Sequence, residues 1–204
     1  MIKCYSLSVK EMSSGYAKLP DDVKFPLDRN IIDKISVTGE MPYEFTLKRV
    51  SFSKGDCLLT DDVEKEKYIW TDCQMGAFLL FSQKLKDIIS NHLTGNERFK
   101  WVSCKVRYRE EVRIYYTPVF TEKVDVWNME YTVFSEWTDS ENFDVLKPVF
   151  SQRKIESLGL FCGGYSRFSF WKMPIIVYIK EDTKKEIVKA KLLGVELSQA
   201  PVDE

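Results

Sequence analysis

The 204-residue chain is short of the usual raw materials of catalysis and anchoring: it has one histidine and no apolar run longer than seven residues. Thirty basic residues against thirty-one acidic ones leave a formal charge of −1. That balance supplies no global attraction to nucleic acid or to an anionic membrane, so any electrostatic partner must meet a local patch. The longest apolar runs, MGAFLLF at 75–81 and MPIIVYI at 173–179, are seven residues each, whereas a membrane span needs about twenty. MIKCYSLSVK at the start has no apolar h-region and is not read as a secretory signal. The expectation is a soluble, cytoplasmic protein without a membrane partner. The five cysteines, at 4, 57, 73, 104 and 162, are odd in number and lack CxxC spacing. They read as reduced thiols in preference to a disulfide or a zinc site.

Catalytic and cofactor motifs are equally scarce. There is no GxGxxG, P-loop or HExxH. Gly163-Gly164 lacks the helix and lysine of a phosphate cradle and reads as a turn. His92 would have to serve any Cys-His or Ser-His pair, and nothing near it in sequence supports one. Its position near a helix C-terminus suits a core-rim residue. Asp56-Cys57 and Asp72-Cys73 set carboxylates beside thiols, which works against thiolate formation. DSENFD at 139–144 offers Asp139, Glu141 and Asp144, but Asp144 and Phe150 stand where a calcium loop wants glycine and glutamate. With Asp61, Asp62 and Glu64 these acids form two candidate patches for docking a basic protein surface. The stretch RFKWVSCKVRYREEVRIYY interleaves cations with aromatics, as single-strand nucleic-acid binders do. Lys105 and Arg107, however, alternate with apolar residues as on the wet face of any strand. A binder using Lys105, Arg107, Arg109 and Arg113 is therefore the weaker reading, and no cofactor or metal is implied.

What the chain does have is aromatic surface and periodicity. Thirteen Phe, ten Tyr and five Trp favour strands. Asn30 caps a short helix over IIDKIS, before Gly39. EFTLKRVSF (44–52) is an imperfectly alternating strand. WVSCKVRY (101–108) alternates cleanly, with Val102, Cys104, Val106 and Tyr108 on one face, and VRIYYTPVF (112–120) follows it across a turn at Glu110-Glu111. Pro118 marks a strand end or sheet edge. VDVWNMEYTVFSEW (124–137) reads as a third, longer strand, and SENFDVLK as a short helix from Ser140, broken at Pro148. Aromatic and apolar strands, YSRFSFW and IIVYI, precede a last helix. No segment reads as a linker, and the whole is expected to be one α+β domain, residues 1–204, with a strand-rich mixed sheet.

The clearest element is FLLFSQKLKDIISNHLTG (78–95). An apolar strand leads to Ser82 as N-cap. Leu85, Ile88, Ile89 and Leu93 then share one helix face, and Gly95 follows as the left-handed stop. VYIKEDTKKEIVKAKLLG (177–194) echoes it at an offset of 99, with four identities in eighteen positions: Lys86/Lys185, Ile88/Ile187, Leu93/Leu192 and Gly95/Gly194. At that offset Leu85 meets Lys184 and the Ser82 cap meets Glu181. The two strand-helix units, with helices near 82–94 and 182–193, are expected to build scaffold. A returning strand in the same sheet would make a right-handed crossover.

The order of apolar strand, Ser82-x-x-Leu85-Lys86 helix start, Gly95 and aromatic-led strand at Phe99 resembles a bacterial family first described as the domain of unknown function DUF1629. VDVWNME at 124–130 is a looser match. That family is grouped with the immunity proteins of polymorphic toxin systems, and the resemblance spans roughly residues 70–204. It implies a cytoplasmic, non-enzymatic protein that binds and neutralises a cognate toxin, with no catalytic residues to carry over. The alternative from the residues themselves is a small-ligand binder or enzyme with an aromatic-lined pocket, whose polar members would be His92, Asp125 or Glu130.

Overall fold

The computed structural model describes residues 2–10, 15–24, 27, 29–53, 56–60, 70–135, 145–163 and 172–203. Its longest hairpin follows the cleanest alternation in the sequence. In β7 (Phe99–Tyr108), Val102, Cys104 and Val106 are buried while Lys105 and Arg107 point outward and are exposed. Arg109, with a left-handed φ of 53°, and Glu110 turn the chain into β8 (Glu111–Phe120). Glu111 is already paired with Tyr108, so the turn sits one residue earlier than the Glu110-Glu111 pair suggested. Pro118 lies inside β8 opposite Trp101. Its missing N–H is tolerated because the strand on the other side of β8 pairs with it only at Tyr116.

Around this hairpin a sheet closes on itself. β3 (Glu40–Ser53) runs parallel to β7 and longer than the sequence suggested. β2 (Gly15–Lys18) pairs antiparallel with β3 and parallel with β5 (Cys73–Gly76). β5 pairs with β6 (Leu80–Phe81), and β6 with β8. The ring β2-β5-β6-β8-β7-β3 is thus a six-stranded barrel, with β4 (Asp56–Thr60), not foreseen from the sequence, added on β3. A ring this small is filled by side chains: Ala17, Phe45, Leu47, Phe78 and Leu80 join the inward residues of β7. Ile32 and Ile35 of α1 (Arg29–Thr38) enter the same cluster beside Met41, and Gly39 (φ 71°) ends that helix.

A second, antiparallel sheet has the order β12 (Leu160–Phe161), β13 (Val177–Lys180), β1 (Cys4–Val9), β14 (Val195–Ala200). Both faces are covered, which is why VYI carries no polar alternation. Leu7, Val177 and Ile179 face the helices and barrel wall, while Cys4, Phe161 and Tyr178 face the other way. There Phe150 of β11 (Phe150–Ser151) is the hub, with ring centroids 4.9 Å from Trp127, 5.2 Å from Phe161 and 4.6 Å from Tyr178. α3 (Gln152–Ile155) and β15 (Val202–Asp203), parallel to β11, complete this layer.

The long strand expected over 124–137 is not formed. Asp125 Oδ1 accepts the Trp127 N–H and Asn128 Oδ1 accepts the Glu130 N–H. These local side-chain bonds compete with a ladder and turn the chain. Among the described residues of this segment a Trp127–Phe150 bridge and the two-residue β9 (Val133–Phe134) remain. Val145–Lys147, expected as helix, is instead β10, antiparallel to β9. The expected aromatic strand YSRFSFW lies outside the described residues.

The two quoted segments do form equivalent units. α2 (Gln83–Ser90) links β6 to β7, and both strands are antiparallel to β8, which lies between them. α4 (Glu181–Lys189) links β13 to β14, both antiparallel to the intervening β1. Each is a parallel β-α-β crossover split by one antiparallel strand. α2 packs on β6 and β8, α4 on β1 and β13, and the helices pack on each other. Both helices stop well before their glycines, short of the expected 94 and 193.

The structural register corrects the ungapped alignment. The buried residues are Leu85 and Ile89 in α2 but Thr183 and Ile187 in α4, and the N-caps are Ser82 and Lys180, an offset of 98. Lys86 lies 4.5 Å from the Tyr116 ring centre on the strand between its unit's pair, and Lys184 lies 4.0 Å from Tyr5 in the matching place. α4 carries one more residue, so the offset returns to 99 by Gly95 (φ 88°) and Gly194 (φ 73°). The core position of Leu85 is therefore answered by buried Thr183, not by Lys184.

Glu97 ties the α2–β7 turn to the α3–β12 turn. Its carboxylate accepts N–H bonds from Thr94 (3.0 Å), Gly95 (2.9 Å) and Gly159 (2.6 Å), and the Thr94 hydroxyl at 3.1 Å. Burial pushes this carboxyl up, but the bonds from Thr94 and Gly159 outweigh it and hold it below its ordinary value. Among the described residues no helix is long and apolar enough to cross a membrane.

Two stability measurements follow from these contacts. A Cβ on Gly194 would meet Thr71 Cβ at 2.6 Å and the Cys73 carbonyl oxygen at 2.7 Å, whereas one on Gly95 meets nothing within 4 Å. In urea unfolding, Gly95→Ala is expected to cost about 1 kcal/mol, and Gly194→Ala about 3 kcal/mol or more because backbone must shift. Equal costs would contradict the assigned packing. Glu97→Gln keeps the shape and removes the charge. A carboxyl lowered in the fold stabilises above its unfolded value of about 4.3 and loses that stabilisation as pH falls through the folded value. Wild type should therefore exceed Glu97→Gln in stability near pH 7, with the gap closing as acid is added below about pH 4.3. A gap independent of pH would refute the role given to the charge.

Candidate functional site

A developed surface feature grows from the residues just before β5. Trp70 closes one mouth of the barrel. Cys104 and Val106 point inward, so their partners Tyr115 and Arg113 stand on the inward side of β8, as does Glu111 opposite Tyr108. Tyr115 stacks on Trp70 with centroids 6.2 Å apart and planes 20° apart, and Tyr108 meets it edge-on at 6.3 Å. The Arg113 guanidinium lies 4.5 Å from the Trp70 ring centre. Glu111 holds both: Trp70 Nε1–H donates to Oε2 at 3.0 Å and Arg113 Nε to Oε1 at 2.6 Å. Burial pushes the Tyr115 hydroxyl well above its ordinary value, and it donates to the Thr71 carbonyl oxygen at 2.7 Å.

Asp72 joins this mouth to both β-α-β units. Its Oδ1 accepts the Ser82 hydroxyl at 2.7 Å, and Ser82 Oγ in turn accepts the Leu85 N–H at the start of α2. Its Oδ2 accepts the Leu193 N–H at 2.8 Å, just past α4. The backbone repeats the connection: Asp72 N–H donates to Leu193 O at 2.8 Å and Ser82 N–H to Asp72 O at 2.8 Å. Gly194 is pressed against Thr71 and the Cys73 carbonyl, which is why the stop residue of the second unit must be glycine.

Between these parts lies an open groove of about 450 Å³. The start of α2 (Ser82, Gln83, Lys84) forms one wall, Ile114 and Leu193 supply apolar walls, and Trp70, Thr71 and Tyr115 line it beside Asp72 and Arg113. Ile114 is 43 % and Leu193 46 % exposed, and Val112, two residues from Ile114 on the outer face of β8, is 39 % exposed. A second cavity, beside Glu97 and Phe161, is only about 10 Å³, the size of one water. Further exposed apolar residues, Met129, Tyr131, Val133 and Leu146, cluster in the turn and hairpin around β9 and β10.

The residues singled out from the sequence fare unevenly. Ser82 and Leu85 do what their spacing promised, as cap and buried core residue, and Gly95 adopts the left-handed backbone. Lys86 covers Tyr116, and Phe99 packs edge-on to Trp101 at 5.1 Å. Asp61, Asp62, Glu64, Asp139, Glu141 and Asp144 lie outside the described residues. His92, Asp125 and Glu130 do not line the groove. His92 Nε2 is 3.2 Å from Glu186, Asp125 pairs with Lys154 at 2.6 Å, and Glu130 is exposed. No hydrogen bond or ion pair among the described residues joins any two of these three. Of the four cations considered for nucleic acid, Arg107 is held bidentately by Glu44, and Arg113 makes a single Nε bond to Glu111. Cys4, Cys73, Cys104 and Cys162 are all buried. Burial pushes the Cys4 thiol up to about 12, and pushes Cys73 higher still with help from the Asp72 carboxylate. Among the described residues no group of three His, Cys, Asp or Glu is arranged to hold a metal ion.

Sequence reading passed over Trp70, Glu111 and the structural role of Asp72. Asp72 stands ten residues before its helix cap and far from Leu193 in sequence, so no local spacing announces it. No known family model matches the chain, and no curated protein matches it either.

Removing the Asp72 carboxylate orphans two donors at once. Asp72→Ala is expected to lower unfolding free energy by about 2–3 kcal/mol, and Ser82→Ala by about 1 kcal/mol. The double variant should cost less than the sum by about 0.5–1 kcal/mol. Strict additivity would show that the two side chains do not act together.

Proposed function

We propose that the chain is an immunity protein, one that binds a cognate bacterial toxin and covers part of its surface. The reading rests on the resemblance carried by Ser82, Leu85, Lys86, Gly95 and Phe99, and the observation that carries it furthest is the groove. A rigid Trp–Arg–Tyr cluster beside exposed aliphatic walls has the composition of an interface hot spot. Glu111 and Asp72 fix these groups before any partner arrives, which lowers the ordering cost of association. The groove's polar side chains are engaged within the chain: Asp72 by Ser82 and Leu193, Trp70 and Arg113 by Glu111 behind them, and Lys84 Nζ by the Ala190 carbonyl at 3.1 Å. Groups so engaged shape a surface, which favours a non-enzymatic binding role. Action in the cytoplasm agrees with the buried thiols of Cys4, Cys73 and Cys104.

The test is co-expression with the product of a toxin-like gene encoded beside this one. The expected result is restored growth and a stoichiometric complex on size-exclusion chromatography. Undiminished killing with no complex would overturn the reading, as would full viability of cells that express the toxin alone.

A further inference from the structure

The charges around the groove say what kind of segment it takes. Lys84 reaches the Ala190 carbonyl and so lies beside Lys189 and Lys191, both exposed and neither in an ion pair among the described residues. Lys10, exposed at the end of β1, donates its backbone N–H to Gly194 O at 2.9 Å, one residue from the groove wall at Leu193. Arg113, across the groove, is paired with Glu111 and adds no free charge. Of the nearby acids, Glu111 is paired with Arg113, Asp72 keeps its charge while accepting from Ser82 and Leu193, and Glu186 lies 3.2 Å from His92. Favourable placement at the carbonyl end of α4 accounts for Lys84 and Lys189. It does not account for Lys10, or for the exposure of Ile114 and Leu193.

We infer that this groove docks an acidic segment of a partner protein, with one apolar side chain of that segment seated between Ile114 and Leu193 and its carboxylates on the lysine rim. The inference rests on the protein-binding reading and gives it a surface and a partner chemistry. A nucleic-acid strand fits less well. Trp70 is already engaged by Tyr115, Arg113 and Glu111, and the walls left facing solvent are aliphatic and give a base no stacking platform.

Peptide display on the immobilised full chain tests this. Enriched peptides should carry several Asp or Glu around one Leu, Ile, Phe or Met. The best of them, labelled with fluorescein, should weaken at least about tenfold against Ile114→Asp and against Lys10→Glu/Lys191→Glu, and weaken further as salt is raised. All three positions are exposed, and thermal unfolding checks that the variants fold. No enrichment, enrichment of basic or neutral peptides, binding unchanged in the variants, or tighter binding of a labelled single-stranded oligothymidine would each overturn the inference. Toxin protection separates the two levels. Protection by wild type and by the groove variants alike leaves the immunity reading standing and removes the groove. Acidic-peptide binding without protection by wild type does the reverse.

Discussion

A single carboxylate holds the two halves of this fold in register. Asp72 sits where the chain enters the barrel at β5, yet its two oxygens serve the start of α2 and the end of α4. Helix ends leave backbone groups unpaired, and a fold that packs two helices together must satisfy those groups near the contact. Here the Ser82 hydroxyl accepts the Leu85 N–H at the start of α2, and Asp72 accepts both from that hydroxyl and from the Leu193 N–H in the turn after α4. The cost is a tight fit at Gly194, which has no room for a Cβ and a backbone conformation that L side chains rarely adopt. The gain is a groove whose walls come from four places in the chain and cannot drift independently.

The split β-α-β units show how two similar elements tolerate divergence. In both, a lysine on the helix covers a tyrosine on the intervening strand, and a glycine ends the connection. Thr183 keeps the buried position of Leu85 with a smaller side chain. The one-residue difference in helix length is absorbed before the glycines, where a helix end frays at little cost. Whatever its origin, the arrangement gives the molecule a barrel and a sheet that share a helical layer.

Local physics made much of this legible in the sequence. The alternation of Val102, Cys104 and Val106, the Ser82 cap and the positive-φ glycines each depend on a few neighbouring residues, and each appears as expected. The strand imagined over 124–137 failed for an equally local reason, the Asx bonds of Asp125 and Asn128, whose turn chemistry outweighed the β-propensity of the flanking aromatics. What could not be seen was long-range. Closure of the barrel depends on β2 finding both β3 and β5. The roles of Trp70, Asp72 and Glu97 depend on partners 41, 121 and 62 residues away. An aspartate beside a cysteine invites a question about thiol chemistry, and only the fold shows that it is a connector.

The functional account follows from that connection. If Asp72 binds the two units into one body, the groove is a fixed surface fit for recognition. If it does not, the groove is an accident of two loosely apposed halves. Amide hydrogen exchange on wild type and Asp72→Ala decides between these most directly. The account predicts that the amides of Leu85, Cys73 and Leu193 lose protection together in the variant while the β7–β8 ladder keeps its own. Loss confined to one of the two units, or no loss at all, would contradict it.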